Sequence, residues 1–141
     1  MLDPDLNKMR ELLTRHPDCA KSRPTKLAHT LQGFVSANED ASTSANYQAD
    51  APDRLDEIAD LLGSPAVQAN DDLLLRVLKS LKILSRKLDN RTRLGPLIAS
   101  DLVAVLNRKS PAPVAGEAAN VVLNICYERA NVTLIMDAGV T

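Results

Sequence analysis

Apolar residues recur at helical spacing in almost every part of the chain that contains them. Leu6, Met9, Leu12 and Leu13 form a first stripe. Asp3-Pro4 precedes it, and that pair starts helices because Asp caps free N–H groups and Pro arrives with its φ already set. The stripe ends before Pro17, and a second start at Pro24 carries Leu27, Ala28, Leu31, Phe34 and Val35. From Ser36 to Asp50 the periodicity vanishes. The run SANEDASTSANYQAD offers almost nothing to bury against the entropy of ordering it, so a mobile loop is expected. Ser42, Thr43 and Ser44 could be modified there, but the plainer reading is a connector.

Order resumes at Pro52. Leu55, Ile58, Leu61 and Leu62 predict a short helix closed by Gly63, followed by a joint from Pro65 to Asn70. Asp71-Asp72 suit the positive end of a helix dipole and open a long helix to about Lys87. Its buried stripe is Leu74, Val77, Leu78, Leu81, Leu84 and Leu88, and its polar face carries Arg76, Lys79, Lys82, Arg86 and Lys87. A helix over Arg91–Ala99 follows, then Ser100 as cap of a separate helix, Asp101–Asn107, and a Pro-rich hinge at Ser110–Pro113. From Gly116 to Arg129 apolar residues lie almost all round: Ala118, Val122, Ile125 and Cys126, widened by Ala119 and Leu123. Such a helix needs cover on several sides. After the polar joint Glu128–Asn131, Leu134-Ile135-Met136 form a short helix stopped at Gly139.

These last elements repeat earlier ones. Asn90 and Asn131 stand 131 − 90 = 41 residues apart. The same shift lays Val77 on Ala118, Leu81 on Val122, Leu84 on Ile125, Ser85 on Cys126, Leu94 on Ile135 and Leu97 on Ala138. A helical repeat of about 40 residues is the mark of an armadillo or HEAT type solenoid. The strings LKILSRKLDNRTRLGPLIASDLVAVL and AANVVLNICYERANVTLIMDAGV resemble the armadillo repeat. In that family the third helix ends in a Leu-x-Asn-Leu-like core, followed by an Asn-containing turn and a short first helix. The likeness covers Asp71–Thr141.

The resemblance implies an all-α, right-handed armadillo/HEAT-like α-solenoid. Residues 1–35 would be an N-terminal helical cap, 36–51 the mobile loop, and 52–141 repeats, one nearly complete and the next cut short. Third helices of the family line a concave groove, where an Asn near the helix end holds a partner backbone; an amide can donate to C=O and accept from N–H together. Asn124 occupies that position, where it would either meet a partner or bond backbone groups inside the core. Asn120 stands where importin-like repeats carry Trp, and Lys79 and Ile83 are the equivalents one unit earlier. The absent Trp-Asn ladder argues against nuclear-signal binding. Lys79, Lys82 and Arg86 form a basic ridge suited to an acidic segment, with Arg93 or Arg129 nearby. The partner-binding set is therefore Lys79, Lys82, Arg86, Asn120 and Asn124. The function expected is a protein-interaction scaffold for an extended peptide or acidic segment. The alternative is an armadillo-type regulator of small GTPases or G proteins, because Asn124-Ile125-Cys126-Tyr127 is similar to strings in nucleotide-dissociation stimulators. Lys79, Lys82, Asn120 and Asn124 should be at least partly accessible on one face, with Leu81, Leu84, Val122 and Ile125 buried. The chain stops at a joint, so more repeats are expected beyond residue 141, with Val121, Leu134 or Ile135 partly bare.

Composition narrows the partners further. A net charge of −1 lacks the concentrated basic surface that phosphate binding needs, so no nucleic acid is expected. Aromatics make up 2% of 141 residues and Trp is absent, so the core must be aliphatic helix-on-helix packing. No apolar run is long enough for a membrane span, and MLDPDLNKMREL has no secretory core, which suggests the cytoplasm or nucleus. Cys19 and Cys126 are expected as free thiols. His16, Cys19 and His29 are too few for a zinc site with Cys126 elsewhere, so neither metal nor cofactor is expected. No phosphate loop, His-Glu-x-x-His or nucleophile elbow occurs, and an enzyme is not indicated.

Overall fold

The computed structural model describes residues 4–39 and 54–139. Among these are nine helices and no strand: α1 Pro4–Arg15, α2 Cys19–Ser22, α3 Pro24–Asn38, α4 Arg54–Gly63, α5 Pro65–Gln68, α6 Asp71–Leu84, α7 Leu88–Asn107, α8 Ala112–Ile125 and α9 Arg129–Asp137. The protein is all-α, as the periodicities require. No described helix is long and apolar enough to cross a membrane. Asp3 and Pro52, expected at helix starts, lie outside the described residues.

Helix ends differ from expectation where distant side chains decide them. The polar stretch expected as loop from Ser36 is helical through Asn38; the remainder beyond Glu39 lies outside the described residues. Arg86 donates to the carbonyls of Asn38 (2.9 Å) and Glu39 (3.0 Å), so the last carbonyls of α3 find partners 48 and 47 residues away. The helix expected to reach Lys87 stops at Leu84. There Asn90 donates to the Leu84 carbonyl (2.8 Å), while Arg91 serves the carbonyls of Ser85 (2.7 Å) and Arg86 (2.8 Å). Leu88, expected in the buried stripe, starts the next helix and is 58% exposed.

Residues 88–107 are one helix, not two, and Ser100 is an interior residue rather than a cap. Leu94, Ile98, Ala99, Leu102, Val103 and Val105 form one uninterrupted buried stripe along it. Pro96 cannot serve the Thr92 carbonyl, and both residues are on the exposed side of the helix. Similarly, Ala112 and Pro113 of the expected hinge already belong to α8, with Pro in the first turn. Two short helices, α2 and α5, occupy stretches expected as joints.

The helices pack in two rows. One runs α3, α6, α8, each touching the next; α1, α4, α7 and α9 pack behind it. Residues 1–35 contribute α1 to one row and most of α3 to the other. A single, largely aliphatic core joins both rows, from Leu6, Met9 and Phe34 through Leu62, Leu74 and Leu81 to Leu102, Val121 and Ile125.

The 41-residue register holds between α6 and α8 along their shared buried stripe. Leu73, Val77, Ser80 and Leu84 are buried, as are Val114, Ala118, Val121 and Ile125. Asn90 and Asn131 are buried alike, and each donates to a carbonyl six residues back, Leu84 and Ile125 (both 2.8 Å). Asn131 also donates to the Arg91 carbonyl (2.9 Å), which ties α9 to α7. Gly95 makes room for this: a Cβ there would overlap Oδ1 and Cγ of Asn131 and come within 2.6 Å of Nδ2.

Candidate functional site: the open face of α6 and α8

On α8 exposure divides the helix cleanly. Behind the buried stripe, Gly116, Asn120, Leu123 and, in the turn that follows, Tyr127 are all exposed, at the spacing of one open face. The equivalents 41 residues earlier are Leu75, Lys79, Lys82 and Arg86, and all are half-buried. The five residues singled out from sequence therefore do lie together on or beside one face. They differ in how free they are.

Three of the cations are engaged within the chain. Lys79 Nζ stands 3.8 Å from Glu39 and Lys82 Nζ 2.8 Å from Glu117 on α8. Arg86 is the cap of α3 already described. Both carboxylates and both backbone carbonyls come from this chain, so two of the three cations already face an acid and the third is held by neutral carbonyls. Asn124 is half-buried; its Nδ2 donates to the Lys82 carbonyl (3.2 Å) and to Ser85 Oγ (3.1 Å). It fastens α8 to the end of α6, and its Oδ1 makes no hydrogen bond among the described residues. Asn120 alone of the five is exposed.

Leu123, counted from its spacing as part of the buried stripe, is 66% exposed, and Tyr127 is 75% exposed. The guanidinium of Arg91 lies 5.0 Å from the Tyr127 ring centroid, a cation–π contact that holds the ring across the joint. Sequence reasoning passed over both residues. The register pointed to them nevertheless, since they fall on Lys82 and Arg86 of the ridge.

Little else offers chemistry. Burial pushes the thiols of Cys19 and Cys126 up, so neither is an activated nucleophile. Burial, and then the nearby charge of Asp60, raise the carboxyl of Asp101. A cavity of about 290 Å³ between α1 and α3 is lined by Lys8, Glu11, Arg15, His16, Lys26 and Thr30. Its salt bridge between Arg15 and Glu11 (2.9 Å) is largely solvated. Among the described residues no group of three His, Cys, Asp or Glu is placed to hold a metal ion.

No family model and no characterised protein sequence matches the chain. In crystal structures, the chain is similar to an engineered protein at 22% identity, with a TM-score of 0.65. The match covers 98% of this chain and 53% of that one, so the chain spans about half its length. At that identity the likeness bears on fold alone.

Proposed function

We propose that this chain is an armadillo-type α-solenoid acting as a protein-interaction scaffold in the cytoplasm, gripping an extended partner segment along the open face of α6 and α8. One observation carries the reading. Leu123 and Tyr127 are large side chains more than half exposed on a face otherwise made of amides and tethered cations. Water disfavours such a pair, and an aromatic held by Arg91 is the type of rigid anchor that dominates interface energies. Asn120 and the Oδ1 of Asn124 can satisfy the backbone of an extended segment laid across them. The segment this face suits has an apolar residue for Leu123 and Tyr127. An acidic residue toward Lys82 and Arg91 would add to it, though less than an unpaired ridge would allow.

The test is affinity capture with the intact chain in three forms: unchanged, Tyr127→Ala, and Lys8→Glu at the opposite end. Both substitutions are at exposed positions, so the fold should be unaffected by circular dichroism. A partner retained by the unchanged chain and by Lys8→Glu, but lost with Tyr127→Ala, is the expected result. Retention of every captured protein by Tyr127→Ala would remove this face as the binding site.

A further inference from the structure

The cavity of about 290 Å³ between α1 and α3 gathers positive charge from both helices. Residues 8, 11, 12, 15 and 16 recur at helical spacing on one side of α1, and residues 26 and 30 lie one turn apart on α3. Leu12 is the one apolar side chain of the lining and is nearly buried, so it forms the floor. Lys8, Arg15, His16 and Lys26 bring nitrogen donors, and Glu11 is the single acid. That carboxylate is engaged by Arg15 at 2.9 Å. Among the described residues no carboxylate pairs with Lys8 or Lys26. Three full positive charges against one negative leave the cavity an excess of two, and His16 adds a further N–H donor.

Helix stability accounts for only part of this charge. Arg15 is in the last turn of α1, where a cation suits the negative end of the helix dipole. Lys26 is the opposite case. It stands in the first turn of α3, the positive end, and no acidic residue shares that turn. Its charge therefore works against the helix that carries it. The ridge on α6 is arranged differently, because Lys79 and Lys82 meet Glu39 and Glu117 of the same chain. The charge excess of the α1–α3 cavity is answered by an anion from outside the chain.

We infer that this cavity binds a phosphate monoester. Such a group carries a charge of about −1.5 to −2 at pH 7 and three strong acceptor oxygens, which match the excess of two and the surrounding donors. A carboxylate carries a single charge and leaves one cation unanswered. The volume lies at the small end of ligand pockets, about 300–1,000 Å³, so the cavity admits the phosphoryl group and the few atoms that carry it. A net charge of −1 denies the chain the broad basic surface a nucleic acid needs, but one phosphoryl group needs only a local excess. The site does not rest on the partner-binding role of the open face. Lys8→Glu removes it while sparing a partner held at Tyr127, and Tyr127→Ala does the reverse.

Titration of the isotopically labelled chain with inorganic phosphate, followed through backbone amide shifts by NMR, reads the site residue by residue. The expected result is saturable shifts centred on Lys8, Arg15, His16 and Lys26, with a Kd of about 1 mM or tighter at low salt. Added salt should weaken it by screening. Lys8 and Lys26 are exposed, so their replacement leaves folding alone. Lys8→Glu and Lys26→Glu should each weaken binding by about tenfold or more, whereas Lys109→Glu, an exposed cation on the hinge before α8, should change it by less than about twofold. Two further probes separate the sources of the group. Tighter binding of free O-phosphoserine than of a short phosphoserine peptide assigns the cavity to a small molecule, and the reverse order assigns it to a phosphorylated protein. Shifts that grow without saturating, or that centre on Lys79, Lys82 and Arg86, overturn the inference. Acetate bound as tightly as phosphate, or binding unchanged in Lys26→Glu, overturns it equally.

Discussion

Gly95→Ala is the substitution on which the packing of the two rows can be tested most sharply. At an ordinary helix interior this change stabilises by about 0.5–1 kcal/mol, because alanine has less freedom to lose. Here the sign should reverse. The new methyl would overlap the side chain of Asn131, which must leave its site. Its departure breaks the hydrogen bonds to the carbonyls of Ile125 (2.8 Å) and Arg91 (2.9 Å). Each is worth about 1 kcal/mol net, and the Ile125 carbonyl keeps the Glu128 N–H (3.1 Å) as a second donor. Set against the helix gain, a net loss of about 1–1.5 kcal/mol is expected, or about 3–5 °C in melting temperature for a domain of this size. Thermal and urea unfolding of four proteins would measure it: the unchanged chain, Gly95→Ala, Asn131→Ala and the double variant. Asn131→Ala should also destabilise. In its background, however, Gly95→Ala should be neutral or stabilising, since the methyl enters the space the amide vacated. Additive losses, or a melting temperature raised by Gly95→Ala alone, would refute the close-approach argument.

Two other outcomes follow from the charges. Lys82→Ala should cost about 1–2 kcal/mol in urea unfolding, because it strands Glu117, whose Oε2 is buried, whereas Lys79→Ala opposite the exposed Glu39 should cost under about 0.5 kcal/mol; equal losses would contradict the paired burial. Asp101 is held above the ordinary carboxylate range by burial and by Asp60. The folded state therefore binds its proton more tightly than the unfolded state, and this residue's effect is to lower stability as pH rises from the unfolded value through the raised folded one. Asp101→Asn should be more stable than the unchanged chain at neutral pH, with the difference closing in acid; a difference that is constant with pH would rule the titration out.

Much of this molecule is legible in its hydrophobic pattern. Leu27, Leu31 and Phe34, or Leu74, Leu78 and Leu81, recur at helical spacing because one side of each helix must leave water, and that demand is local. The shift of 41 residues is likewise in the chain itself, and it carries through to matched burial at Val77 and Ala118 and to matched caps at Asn90 and Asn131. What depended on the tertiary structure was where each helix ends and how free each polar side chain is. The last carbonyls of α3 meet Arg86 from another helix, and α7 runs on through Ser100 because its buried stripe continues on both sides. Lys79 and Lys82 look like a binding ridge until Glu39 and Glu117 arrive from 40 and 35 residues away. Leu123 looks like core because spacing cannot tell a side covered by a neighbouring helix from one left open. Apolar periodicity is set by the helix alone, whereas hydrogen bonds, ion pairs and cover require a partner that only the folded chain brings within reach.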